Sequence, residues 1–375
     1  MSADKTRGVR CACVVGTRPE VIKMAPVIRR LQESDWAVPV VIATGQHDEL
    51  LDMALADFAI RPDHVIPHDM NFGAIVNLLG AVAAELDGLL EKINPRCVIA
   101  QGDTTTVFAA SLAAFYRRIP FVHVEAGLRT GDLSAPFPEE FHRRVVSVAT
   151  ALHCAPTSTA AAQLRRESIP DRSIVISGNT VIDALLETAA EKPEPPKGFP
   201  KVRRPVLMTA HRRENFGGRF REAFSAVRAF IDESPETALF FPVHPNPAAH
   251  AAAHEVLSGH PRIVLTEPLP YREMVGALQN SWIVVTDSGG LQEEAPALGK
   301  PVLVLRDVTE RSEVVEAGAV RLVGTERERI VRALTELRDN AQAYERMARP
   351  VFPYGDGHAA KRIISSISQL LSEGG

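Results

Sequence analysis

Cysteine is scarce in this chain, with four in 375 residues. Cys11 and Cys13 alternate on one apolar run, Cys97 begins another, and Cys154 stands alone. No pair has CxxC spacing, which speaks against zinc and redox motifs and favours reduced thiols buried as small apolar side chains. No apolar run approaches the roughly 20 residues needed to span a bilayer. The polar stretch Met1–Arg10 lacks the apolar segment of a secretory signal, so a cytoplasmic location is expected. There is no large excess of one charge: the net charge is −4. Neither a nucleic acid nor a membrane is therefore an expected partner, although a local basic cleft for phosphates stays compatible. The Walker A pattern and GxGxxG are both missing, against a P-loop NTPase or a dinucleotide enzyme, and no cofactor is expected. HExxH and HxH are missing too, so no metal is expected. His123 and Glu125 share one face of a strand, but His123 lies inside an apolar run and reads as a core histidine.

What is present is ordinary globular material, 45% hydrophobic and 23% charged. The length exceeds what one core usually organises, so two domains are expected. A unit of short apolar run, turn and helical stretch recurs. Candidate strands are Cys11–Val15, Val38–Ala43, Cys97–Ala100, Phe121–Val124 and Ile174–Ser177, then Val206–Thr209, Ala238–Val243, Ile263–Thr266, Trp282–Thr286 and Val302–Leu305. These runs are continuous rather than alternating, as in a parallel sheet covered by helices on both faces. The stretches Val21–Gln32 and Val107–Arg117 have helical apolar spacing. The fold class is α/β with two doubly wound, Rossmann-type domains. The expected boundaries are 1–188, a proline-rich exposed linker at 189–204, 205–356, and a C-terminal helix within 357–375.

In open α/β sheets, ligands bind beyond the carboxyl ends of the strands. The residues there are unusual. Gly16-Thr17-Arg18-Pro19-Glu20 leads into a helix carrying Lys23. Two cations at a helix N-terminus make sense facing an anion, or paired with Glu20 or another carboxylate. Asp103 follows the third run and Glu125 the fourth; as neighbours they would supply an acid and a base in one site. Alternatively Asp103 caps a helix and Glu125 pairs with Arg129. Glu139 and Glu140 open a further helix, where acidic residues commonly answer the dipole. His211 and His244 end two strands of the second series, the first followed by Arg212 and Arg213; they read as a proton donor beside a phosphate site or as structural histidines. Ser288-Gly289-Gly290 precedes a helix start that aims free N–H groups at an anion, with Glu294 one turn in; a plain tight turn is the alternative.

Taken together, these segments closely resemble the bacterial non-hydrolysing UDP-N-acetylglucosamine 2-epimerases. The resemblance rests on GTRPE with Lys23, Gly102-Asp103-Thr104-Thr105-Thr106, His123-Val124-Glu125-Ala126-Gly127-Leu128-Arg129-Thr130, His211-Arg212-Arg213-Glu214-Asn215 and Ser288–Glu294. It implies a GT-B-like pair of domains with the active site in the interdomain cleft, a homodimer, and a last helix returning to the first domain. It also implies reversible inversion at C2 of a UDP-sugar, by elimination of UDP to 2-acetamidoglucal and re-addition. The alternatives are a modified sugar, diacetamido or uronate, or a hydrolysing epimerase that releases UDP and ManNAc. By resemblance, Asp103, Glu125 and Glu139 are the acid–base carboxylates, with His211 at the glycosidic oxygen or diphosphate; Lys23, counted with these catalytic residues, would hold phosphate together with Arg18. Arg18, Ser288, Gly289, Gly290, Arg311 and His244 would bind substrate, with Glu294 on ribose.

The sequence also departs from that pattern. Asp48 stands where relatives often have Arg, and Asn71-Phe72 where a basic residue is common. In many relatives this neighbourhood, with Gln46, Arg212 and His244, binds a second, activating UDP-GlcNAc. Leu269 and Met274 lie where relatives often have polar and aromatic residues near uracil, and Ser312 replaces a usual Pro.

Overall fold

A computed structural model describes residues 8–45, 49–67, 74–212, 215 and 217–373. The chain divides into two compact units, Met1–Ala184 with Tyr354–Gly375, and Leu185–Pro353.

The first unit is built on seven parallel strands: β1 (Val9–Val15), β2 (Ala37–Thr44), β3 (His64–Ile66), β4 (Cys97–Gln101), β5 (Phe121–Val124), β6 (Leu152–Ala155) and β7 (Ile174–Ile176). Their order is β3-β2-β1-β4-β5-β6-β7, with β1 register Val14↔Ile42 on one side and Val14↔Ala100 on the other. The helices are α1 (Arg18–Glu33), α2 (Glu49–Asp57), α3 (Ile75–Ile93), α4 (Thr105–Tyr116), α5 (Glu139–Ala149), α6 (Ser158–Arg166) and α7 (Thr180–Ala190), which runs into the second unit. Side chains alternate along β1, yet both faces are dry. Cys11, Cys13 and Val15 meet α1 and α2, whereas Ala12 and Val14 meet α3 and α4. This double burial is why the run reads as continuously apolar. All four cysteines are buried and free.

The second unit has six parallel strands: β8 (Arg204–Thr209), β9 (Thr237–Pro242), β10 (Ile263–Thr266), β11 (Ile283–Thr286), β12 (Val302–Val304) and β13 (Val320–Leu322), in the order β10-β9-β8-β11-β12-β13. Its helices are α8 (Gly218–Glu233), α9 (Pro247–Leu257), α10 (Tyr271–Asn280), α11 (Gly289–Ala297), α12 (Ser312–Glu316), α13 (Arg327–Asp339) and α14 (Ala341–Met347). Val206, Met208, Leu239 and Phe241 pack on Phe220, Phe224 and Phe230 of α8. The last helix, α15 (Ala359–Glu373), belongs to the first unit, where Ile363, Ile364 and Ile367 share a core with Cys11, Met24 and Ile28. Burying each such side chain contributes about 2 kcal/mol.

The proline-rich segment is exposed at Glu191, Lys192, Glu194, Lys197 and Lys201 but is packed at some of its prolines. Pro193 and Pro196 are buried. Gln279 Nε2 donates to Ala189 O at 2.9 Å, and the Phe199 ring lies 5.1 Å from that of Phe240. Prolines lack an N–H to satisfy, so this strap can lie flat on an apolar surface at little cost. Among the described residues, no helix is long and apolar enough to cross a membrane.

Candidate active site

Both sheets reverse their strand order between two central strands, β1 and β4 in the first and β8 and β11 in the second. Loops leaving such a pair diverge and open a crevice at the carboxyl edge. In the first unit Gly16 leaves β1, and a Cβ there would collide with the hydroxyls of Thr44 and Thr106. Glycine is therefore required by close approach. Thr17 caps α1 in an extended conformation, and Glu20 reaches back to accept from Gly16 N at 2.5 Å and Thr17 N at 3.0 Å. Its other oxygen accepts from Thr104 Oγ1 at 2.5 Å, which ties the loop after β1 to the loop after β4. Glu20 is thus spoken for, and is not the partner of Arg18 or Lys23.

Glu20 is only 2% exposed. Burial raises its pKa to about 7, partly offset by the bonds from Thr104, Gly16 and Thr17. A raised carboxyl binds more protons folded than unfolded, so its contribution is lost as pH climbs from 4.5 to about 7. The Glu20→Gln variant mimics the protonated form, with its oxygen toward the two N–H groups and its amide toward Thr104. It is expected to gain on the order of 3 kcal/mol relative to wild type between pH 5 and 8. Urea titrations across that range check this; parallel curves for the two proteins would rule it out.

Glu125 follows β5 with a positive φ of 65°, which is strained for a non-glycine residue. Its carboxylate is held by Lys23 Nζ at 2.8 and 2.6 Å, by Asn179 Nδ2 at 3.1 Å, and by Gln101 Nε2. Helix α1, strand β4 and the residue before α7 thus converge on it. Of the two readings open for Lys23, a bound anion or a carboxylate partner, the structure shows the second, with Glu125 as that partner. Arg129 is not its partner, since it forms a two-pronged pair with Glu167 at 2.7 and 2.8 Å.

Asp103 does not cap α4; Thr104 is the cap. The Asp103 carboxylate accepts from Arg143 Nε at 2.8 Å, and its carbonyl from His142 Nδ1 at 2.8 Å. Both partners lie on α5, whose first residue is Glu139, so the helix that carries Glu139 is fastened to Asp103. Glu139 Oε2 is buried without a protein partner among the described residues. Glu140 accepts from Thr130 N and Gly131 N at 3.0 and 3.2 Å and pairs with Arg143, which fixes the loop after Glu125 to the same helix. Asp103 and Glu125 therefore each face their own cation. His123 is a core histidine: its Nε2 lies 2.7 Å from Gly102 O, and burial lowers its pKa to about 4.

In the second unit His211 leaves β8 and Asp287 leaves β11. Asp287 is fully buried and accepts from His211 N at 3.0 Å and Arg212 N at 2.9 Å. The ring of His211 stacks on that of His244 at 5.5 Å, and His244 Nδ1 accepts from Asn246 N at 3.1 Å. Burial lowers the pKa of both histidines, and Asp287 opposes it. Gly289 and Gly290 begin α11, and a Cβ on Gly289 would come within 3.2 Å of the Arg311 guanidinium carbon. Arg311 is braced by Glu293 at 3.0 Å and Glu310 at 2.7 Å. Burial would raise Glu310, but Arg311 and Arg306 bring it down to about 2. Glu294 accepts from Tyr271 Oη at 2.8 Å, so its carboxylate is aimed by a buried phenol.

The structure thus gathers Asp103, Glu125, Glu139 and Lys23 in the first unit, with Arg18 opening α1. It gathers His211, Arg212, His244, Ser288, Gly289, Gly290, Glu294 and Arg311 in the second. Gln46, Asp48 and Asn71-Phe72 lie outside the described residues. Sequence reasoning offered Glu20 only as a partner for the nearby cations and gave no role to Gln101, Arg143, Asn179 or Asp287, which hold the others in place. Among the described residues, no group of three His, Cys, Asp or Glu side chains is placed to hold a metal ion.

A family model described as UDP-N-acetylglucosamine 2-epimerase matches residues 29–368. The UDP-N-acetylglucosamine 2-epimerase of Yersinia pestis is 41% identical over 364 residues, covering 94% of this chain and 97% of its own. The crystal structure of UDP-GlcNAc 2-epimerase from Neisseria meningitidis bound to UDP-GlcNAc is 40% identical, with a TM-score of 0.90 over 96% of this chain and 100% of that one. The glycotransferase of kitacinnamycin, 13% identical with a TM-score of 0.63 over 97% of this chain and 100% of its own, shares the GT-B-like fold alone. By the match over most of its length, the chain belongs to the UDP-N-acetylglucosamine 2-epimerase family.

Proposed function

We propose that the protein interconverts UDP-N-acetylglucosamine and UDP-N-acetylmannosamine by inversion at C2. The observation that carries this reading is the set of Asp103, Glu125 and Glu139 on neighbouring strand and helix ends of one unit. A protein that only bound a sugar nucleotide would gain nothing from several carboxylates held there at the cost of desolvation. Inversion requires a proton removed from one face of C2 and returned to the other, which calls for more than one acid–base group. As a carboxylate takes the C2 proton, a C1–C2 double bond forms, the C1–O bond breaks and its electrons leave with UDP. In the return step a UDP oxygen attacks C1 and a carboxylic acid protonates C2.

The departing diphosphate gains charge, which donors placed in advance stabilise best. The N–H groups opening α11, with Arg311 beneath Gly289, suit that role, and His211 suits the leaving oxygen. Arg18 is a further phosphate contact and Glu294 a ribose contact. Lys23 acts through Glu125, whose carboxylate its ammonium pairs with. The resemblance further supports a homodimer at work in the cytoplasm; sedimentation velocity reads the assembly directly.

Proton NMR with UDP-N-acetylglucosamine in D2O tests the reaction. UDP-N-acetylmannosamine carrying deuterium at C2 is the expected product. Accumulation of free UDP and N-acetylmannosamine, or an unchanged spectrum, would overturn it.

A further inference from the structure

Asp287 has a place in the second unit that the roles above leave unexplained. It sits at the end of β11, beside the end of β8, and the hydroxyls of Thr209 and Thr286 bond at 2.6 Å beneath it. Its carboxylate is 0% exposed. Two backbone N–H groups, those of His211 and Arg212, and Asn215 Nδ2 at 3.4 Å point at it. The same Asn215 amide donates to Leu305 O at 3.1 Å, which anchors this arrangement to the neighbouring strand. The remaining direction is filled by His211 Nδ1, 3.3 Å from Asp287 Oδ1. Among the described residues, His211 is the side chain that pairs with this buried carboxylate as a cation when protonated.

We propose that Asp287 is a positioning residue for His211, accepting its Nδ1–H so that Nε2 is the edge offered to the leaving oxygen of UDP. The catalytic half of this statement rests on the role proposed above for His211; the positioning half does not. A carboxylate behind an imidazole fixes the tautomer and supports the imidazolium that forms when the front nitrogen gains a proton. His211 needs that support. Its ring faces the cationic Arg212 and the second imidazole of His244, and Asp287 is the group that opposes both. The side chain remains 37% exposed, with its Nδ1 edge turned toward Asp287. The backbone bonds add a second function. One carboxylate thus holds the turn that carries the ring as well as standing beside the ring itself.

The experiment combines nitrogen-15 NMR of imidazole-labelled protein with kinetics of Asp287→Asn, His211→Asn and the double variant. Wild-type His211 is expected to show a protonated Nδ1 and an acceptor Nε2 when neutral, and Asp287→Asn to lose that preference. Turnover should fall about 10²-fold in Asp287→Asn, near the lower end of what a positioned acid–base group contributes. Its high-pH limb should move to lower pH, because removing the carboxylate makes the imidazolium easier to deprotonate. Adding Asp287→Asn to His211→Asn should cost no further turnover, whereas a merely structural residue would add its own loss. An Nε2–H tautomer in the wild type, or additive losses, would overturn the proposal. If Asp287→Asn does not fold, the wild-type spectrum alone decides. If the tautomer is as expected but His211→Asn turns over normally, the role of His211 fails and the positioning by Asp287 stands.

Discussion

Replacing Asp103 by asparagine is expected to lower kcat by about 10²- to 10⁴-fold, the range lost when a positioned acid–base group is removed, with little change in stability. The asparagine has the same shape, and its oxygen can accept from Arg143 Nε where Asp103 Oδ2 does now, at 2.8 Å. His142 Nδ1 bonds the main-chain carbonyl, which the substitution leaves in place. The carboxylate side chain is 28% exposed, so its pairing with Arg143 is worth no more than about 1 kcal/mol after solvent screening. What disappears is the ability to take or return a proton. The loss should therefore lie in kcat and in deuterium exchange at C2, with unchanged binding of UDP by calorimetry. Turnover within a few fold of wild type would remove Asp103 from the chemistry. A parallel loss of UDP affinity and stability would mean that Asp103 serves to fasten α5.

The central strands were readable from sequence because both of their faces are buried. The strands that escaped notice each carry a polar residue: β3 begins with His64, β13 has Arg321 at its centre, and β6 has His153 there. The first two lie at sheet edges, where one side is only half covered. His153 is different, being fully buried between Ser147 O at 3.1 Å and Ser173 O at 3.2 Å, and nothing in a sequence window shows those carbonyls. The same limit applies to the site. Residues at strand ends could be picked out because the fold class says where chemistry collects. Their partners could not, since Arg143 comes 40 residues after Asp103 and Lys23 comes 102 before Glu125. Asp287 did carry a usable signal: it follows β11, and a doubly wound strand order makes that strand the neighbour of β8 and hence of His211.

Replacing Lys23 by methionine is expected to destabilise the first unit by about 3–5 kcal/mol and to abolish turnover. The pair is enclosed, with side-chain exposures of 13% for Lys23 and 5% for Glu125. Removing the cation takes its charge partner from a buried carboxylate that also accepts from the neutral donors Gln101 and Asn179, on a backbone already strained at φ 65°. Glu125→Gln in the same background takes away the stranded charge, so the double variant should recover about 2 kcal/mol while staying inactive. Two units need not unfold together, so the reading must be local. The chain has two tryptophans, Trp36 in the first unit and Trp282 in the second. Urea unfolding followed by Trp36 fluorescence in a Trp282→Phe background isolates the first unit. Recovery in the double variant would show that Lys23 exists to balance the enclosed Glu125 carboxylate. Strict additivity of the two losses would mean the charges are uncoupled, and Lys23 would then return to the reading its position at a helix N-terminus first suggested, a cation waiting for phosphate.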